Sequence, residues 1–159
     1  MKFSVEATGR LISAELKKNL DLQITNAIKR QIEFANTVIK ERTRSGLDFE
    51  NKEFVRYSEE YAKFRVENNR DAKPVDLIFT GRMSRAQKTR MKKTSKGVTT
   101  GEIYFNSANE AKKAAYLIEG RRRKDGSNSA RKFFAFGENL TKQIISALTE
   151  MIDIIKANK

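Results

Sequence analysis

The sequence predicts an α+β fold in which long N-terminal and C-terminal amphipathic helices pack with a small antiparallel sheet, built on a central β-hairpin, and with one short capped helix. Three observations carry this prediction. Between Gly9 and Gly46 there is no proline or glycine, and apolar residues recur at three- and four-residue steps. Residues 138–159 repeat that spacing with a wider apolar face. Between them, two runs alternate apolar and polar residues on either side of Lys96-Gly97, the pattern of a hairpin. At 159 residues the chain is long enough for one core and too short for two large ones, so a single domain is expected.

In chain order, Phe3, Val5 and Ala7 alternate with Lys2, Ser4 and Glu6, which gives a short strand within residues 1–8. The long helix, residues 9–46, carries Ile12, Leu16, Leu20, Ile24, Ala27, Ile28, Ile32, Ala35, Val38 and Ile39 on one stripe. At about 1.5 Å per residue it reaches roughly 50 Å, more than a compact domain needs, so part of the stripe is expected against another subunit. Gly46 supplies the terminator. Residues 47–75 form an aromatic connector, with Phe49, Phe54, Tyr57, Tyr61 and Phe64 expected to dock on the long helix. Ser58 before Glu59 and Glu60 caps one or two helical turns there.

The sole proline, Pro74, opens a hinge with a short apolar run at Leu77, Ile78 and Phe79, and Thr80-Gly81 then starts a short helical turn. Residues 76–106 hold this turn and a hairpin with one basic and one apolar arm. In residues 107–120, Ser107 and Glu110 form a capping box, followed by Ala111, Ala114, Ala115 and Ile118 at helical spacing, and Gly120 ends the helix. Residues 121–132 are polar and basic and read as a mobile loop. Residues 133–159 return to the core through Phe133, Phe134 and Phe136. They continue as a helix from near Gly137, with Leu140, Ile144, Ile145, Ala147, Leu148, Met151, Ile152, Ile154 and Ile155 on a face too wide for one neighbour.

Composition narrows the chemistry. With no cysteine and no histidine, thiol nucleophiles, disulfides, zinc-thiolate sites and imidazole bases are excluded. Glu50-Asn51-Lys52, with Asp48 nearby, resembles the tail of a nuclease carboxylate motif, but it is three loose positions without strand context or a second upstream carboxylate. No catalytic residue, cofactor or metal ligand is assigned. Apolar residues at 38% against 33% charged leave a lean core that partner subunits would complete. The amino terminus lacks the apolar run of a secretory signal and no stretch approaches a membrane span, so no membrane contact and folding in the cytoplasm are expected.

The net charge of +13 is localised. Arg82, Arg85, Lys88, Arg90, Lys92, Lys93 and Lys96 fall in a window without an acid. Arg121, Arg122, Arg123, Lys124, Arg131 and Lys132 share theirs with Asp125 alone. The remainder carries 20 bases against 19 acids, so the charge belongs to the hairpin and the loop. Such a footprint suits an acidic protein surface or nucleic acid, and a purely solvated face is the bland alternative.

Four stretches fall in a recognisable order: Phe-Val-Arg-Tyr-Ser-Glu-Glu-Tyr-Ala at 54–62, Asp-Leu-Ile-Phe-Thr-Gly-Arg-Met at 76–83, Ala-Tyr-Leu-Ile-Glu-Gly at 115–120 and Arg-Lys-Phe-Phe-Ala-Phe-Gly-Glu at 131–138. Over about residues 50–140 the chain resembles the tail-completion or neck proteins of tailed bacteriophages, the virion morphogenesis family. Tyr57, Ser58 and Tyr61, then Leu77, Thr80, Gly81 and Met83, then Tyr116 and Gly120, then Arg131 and Phe133 stand at its motif positions. Lys132 departs from the proline usual there. The resemblance implies a non-enzymatic α+β subunit of a ring, six copies at the head-tail junction. Such a ring touches head-completion or portal-side proteins, the tail terminator or tail tube, and DNA in the channel. It also implies assembly in the host cytoplasm and a final place in the neck or tail of the virion. The competing reading is a small basic nucleic-acid-binding module. That function needs bases and stacking aromatics on one face, whereas here the aromatics lie on apolar strips.

Overall fold

The computed structural model describes residues 2–5, 14–78, 80–95, 98–120 and 128–157. Ala7, Ile12, Phe79, the Lys96-Gly97 turn, Arg121, Arg122, Arg123 and Lys124 lie outside the described residues, and so do the side chains of Phe3, Val5, Leu16 and Ile155. Three strands, β1 (Lys2–Val5), β2 (Gln87–Lys93) and β3 (Thr99–Phe105), form one antiparallel sheet in the order β1-β3-β2. The helices are α1 (Ala14–Arg44), α2 (Glu59–Glu67), α3 (Arg82–Ala86), α4 (Ala108–Glu119) and α5 (Glu138–Ala157). The architecture is the α+β arrangement expected, and β3 takes the centre because the N-terminal strand pairs with its free edge.

The stripe read from α1 is buried as read. Ile24, Ile28, Ile32, Ala35 and Ile39 pack with Ile103 of β3 and with Leu140, Ile144 and Leu148 of α5 in one apolar cluster. Burying each such isoleucine contributes about 1.5–3 kcal/mol. Gly101 lets α1 lie this close to the sheet: a Cβ there would stand 3.1 Å from Ile28 Cγ2 and 3.2 Å from Ile32 Cβ. Met91, opposite Gly101 in the ladder, fills the adjoining space.

α1 ends in a Schellman turn. The Gly46 N–H donates to Thr43 O at 3.1 Å and the Leu47 N–H to Arg42 O at 3.0 Å, with Gly46 at φ +79°. Beyond it the connector leaves the long helix, which corrects the expected docking of its aromatics. Phe54 joins a second cluster with Val75, Ala114 and Phe133, and Tyr57 packs on its margin. Tyr61 and Phe64, stacked with ring centres 6.0 Å apart, remain exposed. The physical reason is that α4 and the 133–134 segment offer apolar surface here, while the stripe of α1 is already covered by the sheet and α5.

The caps follow local chemistry. Ser58 Oγ accepts from the Tyr61 N–H at 3.3 Å and Ser107 Oγ from the Glu110 N–H at 3.5 Å. The Glu110 carboxylate pairs with Lys113 at 2.8 Å, so Ser107 supplies the cap and the reciprocal arm of a capping box is missing. Residues 133–137 are a non-helical entry, so α5 begins at Glu138. Arg42, buried, holds this entry onto α1 by donating from Nη2 to the carbonyls of Phe133 and Ala135 at 3.0 and 2.8 Å.

Candidate functional site

The alternation of β2 sorts its bases. Gln87 donates to Asn36 of α1 at 2.8 Å and Met91 packs on the α1 cluster, so odd positions face the long helix. Lys93, also odd, reaches Asp21 of α1 at 2.7 Å. The even positions, Lys88, Arg90 and Lys92, stand on the opposite face. There Glu102, opposite Arg90 on β3, accepts from Arg90 Nε at 2.7 Å and lies 3.0 Å from Lys92 Nζ, while the Arg90 guanidinium rests 4.5 Å from the centre of the Tyr104 ring. The acid-free window of the sequence ends one residue before this glutamate, and three of its seven bases are therefore already paired.

Hydrogen bonds from Arg90 first and Lys92 second pull the Glu102 pKa from 4.5 to about 2. A carboxylate depressed on folding contributes stability that is fully present above its unfolded pKa and is lost as pH falls, here between about 4.5 and about 2. In acid-titrated denaturant melts, Glu102→Gln is expected to flatten the stability curve across that window relative to wild type. Equal slopes for the two proteins would contradict the pairing.

Arg131, read as a contact base, is buried and serves the scaffold. It donates to Val55 O at 3.2 Å from Nε and 3.0 Å from Nη2, with its guanidinium 5.2 Å from the centre of the Tyr57 ring. Lys132 is exposed, and its carbonyl accepts from the Phe49 N–H at 3.1 Å. Glu50 pairs with Lys52 at 2.7 Å in a turn closed by Asp48, whose Oδ1 accepts from the Glu50 and Lys52 N–H groups. These three charges thus fold back on one another.

One motif position, Tyr57, bonds to a buried residue the sequence did not single out. Arg65, 1% exposed, donates from Nε to Asp71 O at 2.7 Å, from Nη1 to Ile78 O at 3.0 Å and to Tyr57 Oη at 3.3 Å, and from Nη2 to Asp76 Oδ1 at 2.9 Å. Tyr57 Oη also accepts from the Leu77 N–H at 3.2 Å, which fixes Leu77 at φ +54°. Burial, more than the neighbouring charges, raises the Tyr57 pKa, so the phenol stays protonated. Tyr57, Ser58, Tyr61, Leu77 and Arg131 line a cavity of about 360 Å³, and exposed Tyr116 lies beside it on a second one that shares Leu117, Ser129 and Arg131. Gly120 closes α4 at φ +72°.

Leu77, Thr80, Gly81, Arg82 and Met83 line a different cavity, of about 260 Å³. Lys40 and Thr43 of α1 form one wall, Glu110, Lys113 and Leu117 of α4 the other, and Phe133 also lines it. Arg85 folds back on Thr80 O at 3.0 Å. The sequence-predicted bases therefore do not form one field: Arg82 faces this cleft, Arg90 and Lys92 the outer sheet, and Arg131 the interior. Among the described residues no group of three acids could hold a metal ion, and no helix is long and apolar enough to cross a membrane. Compared with known proteins, the chain matches no family model, no curated protein and no solved structure.

Proposed function

We propose that the chain is a non-catalytic structural subunit of a tailed-bacteriophage neck, repeated six times in a ring that joins the DNA-filled head to the tail. One observation carries the reading: the four stretches that resemble the family, spread over residues 54–138, converge in a single apolar cluster. Phe54 and Tyr57 come from the first, Leu77 and Met83 from the second, Leu117 and Ile118 from the third, Phe133 and Phe134 from the fourth. Stretches that pack together have a shared physical reason to occur together. The flanks of the long helices support a ring, since Leu22 and Phe34 of α1 and Ile145 and Ile154 of α5 are exposed beside buried stripes. The pairing of Arg90 and Lys92 with Glu102 weighs against the alternative, a nucleic-acid-binding sheet face, because the carboxylate offsets part of the charge that phosphates would meet there.

In this reading the ring meets head-completion or portal-side proteins on one side and the tail terminator or tail tube on the other. Arg121, Arg122, Arg123 and Lys124 supply basic charge toward an acidic neighbour or the DNA path. Antibody-gold labelling of purified particles from a strain that encodes the protein is expected to mark the head-tail junction. Particles that lack the protein, or carry it along the tail or on the capsid, would overturn the reading.

A further inference from the structure

We propose that the cleft between α1, residues 77, 78 and 80–84, and α4 is a docking site for an acidic peptide segment of a partner protein that bears one apolar anchor residue. The proposal rests on the reading of the chain as a structural subunit and gives one of its partners a chemistry.

Charge comes first. Lys40, Arg82 and Lys113 line the cleft against a single acid, Glu110, and Glu110 is already engaged by Lys113 at 2.8 Å. Among the described residues Lys40 Nζ reaches only a neutral acceptor, the Gln87 carbonyl at 3.2 Å. Arg82 is exposed, and among the described residues its side chain has no partner. Burial, with the charge of Lys88 adding to it, lowers the Lys40 pKa, so this ammonium sits where a carboxylate would relieve it. The cleft therefore holds an excess of two positive charges that no acid among the described residues answers.

Shape decides between anions. At about 260 Å³ the cavity is smaller than most small-molecule sites, which run from about 300 to 1,000 Å³, and suits one inserted side chain. Its lining includes Leu77, Ile78, Met83 and Leu117 around Phe133. A free phosphate gains nothing from that apolar lining. A nucleic acid would want an open ring for stacking, and Phe133 is only 2% exposed. A peptide uses both parts, its anchor entering between the apolar side chains while flanking carboxylates meet Lys40 and Arg82.

Fluorescence anisotropy with two labelled acidic hexapeptides tests this, one with a central phenylalanine and one with serine in its place. The phenylalanine peptide is expected to bind the full chain about tenfold tighter than the serine peptide, and Arg82→Glu or Lys40→Gln to weaken it about tenfold, the loss of one contributing interface contact short of a hot spot. Lys132→Glu makes the same charge change as Arg82→Glu at an exposed position outside the cleft and is expected to leave binding within about twofold, a surface charge being worth little. Thermal melts check that each variant folds, and Lys40→Gln retains a donor for the Gln87 carbonyl should Arg82→Glu melt early. Equal binding of the two peptides, equal loss in Lys132→Glu, or competition by an oligonucleotide of matched charge as strong as that by the phenylalanine peptide would each overturn the proposal. If the junction label appears and the cleft binds neither peptide, the docking site fails alone and the subunit reading stands.

Discussion

Replacing Arg65 by methionine is expected to lower folding stability by about 3–5 kcal/mol, the range for removing one partner of a buried ion pair. Arg65 is 1% exposed and its guanidinium joins four groups that no other side chain could satisfy together: Asp71 O, Ile78 O, Tyr57 Oη and Asp76 Oδ1. Methionine fills the volume but leaves Asp76 without its cation and two carbonyls without donors. Asp76 retains 24% exposure of its side chain, so Asp76→Asn, which keeps an acceptor near Arg65 and the Ile78 N–H, should cost less. Urea denaturation of both variants checks the order. An Arg65→Met protein within about 1 kcal/mol of wild type would show that the knot is not holding the turn.

The second large effect separates two adjacent isoleucines. Ile144 is fully buried among Ile28, Ile32 and their neighbours, whereas Ile145 is 54% exposed on the flank of α5. Ile144→Asp puts an unpaired carboxylate into the core and is expected to abolish cooperative folding, since even truncation of such a residue to alanine costs about 2–5 kcal/mol. Ile145→Asp is expected to melt within about 1 kcal/mol of wild type and yet to fail to assemble with virion extract, because its loss falls on the neighbour and not on the protomer. An Ile145→Asp protein that assembles normally would remove that flank from the ring contact. An Ile144→Asp protein that melts normally would contradict the core itself.

Much of the fold was legible because it follows local rules. The three- and four-residue recurrence from Ile24 to Ile39 states which face of α1 is buried, and Gly46, Ser58, Ser107 and Gly120 punctuate the helices by their own chemistry. What stayed hidden depends on residues distant in the chain. α2 reads as amphipathic the wrong way round, since Phe64 and Val66 are exposed while Arg65 between them is buried, an outcome set by Asp76 and the hinge backbone. Arg131 looked like one more base of a loop, but its guanidinium is taken by the carbonyls of Val55 and Arg56. Counting charges along the chain likewise missed Asp21, 72 positions from Lys93. Lys40 carried no signal at all, because its wall of the cleft exists only once residues 80–84 and α4 lie beside α1.

The most direct measurement of the central claim is the mass of the purified protein by native mass spectrometry, alone and after mixing with extracts of virions that lack it. Assembly into a species of six protomers on addition of extract, unaffected by nuclease treatment, is the result the ring-subunit account predicts. A chain that keeps its single-protomer mass in the extract, or gains mass only through nucleic acid that nuclease removes, would contradict it.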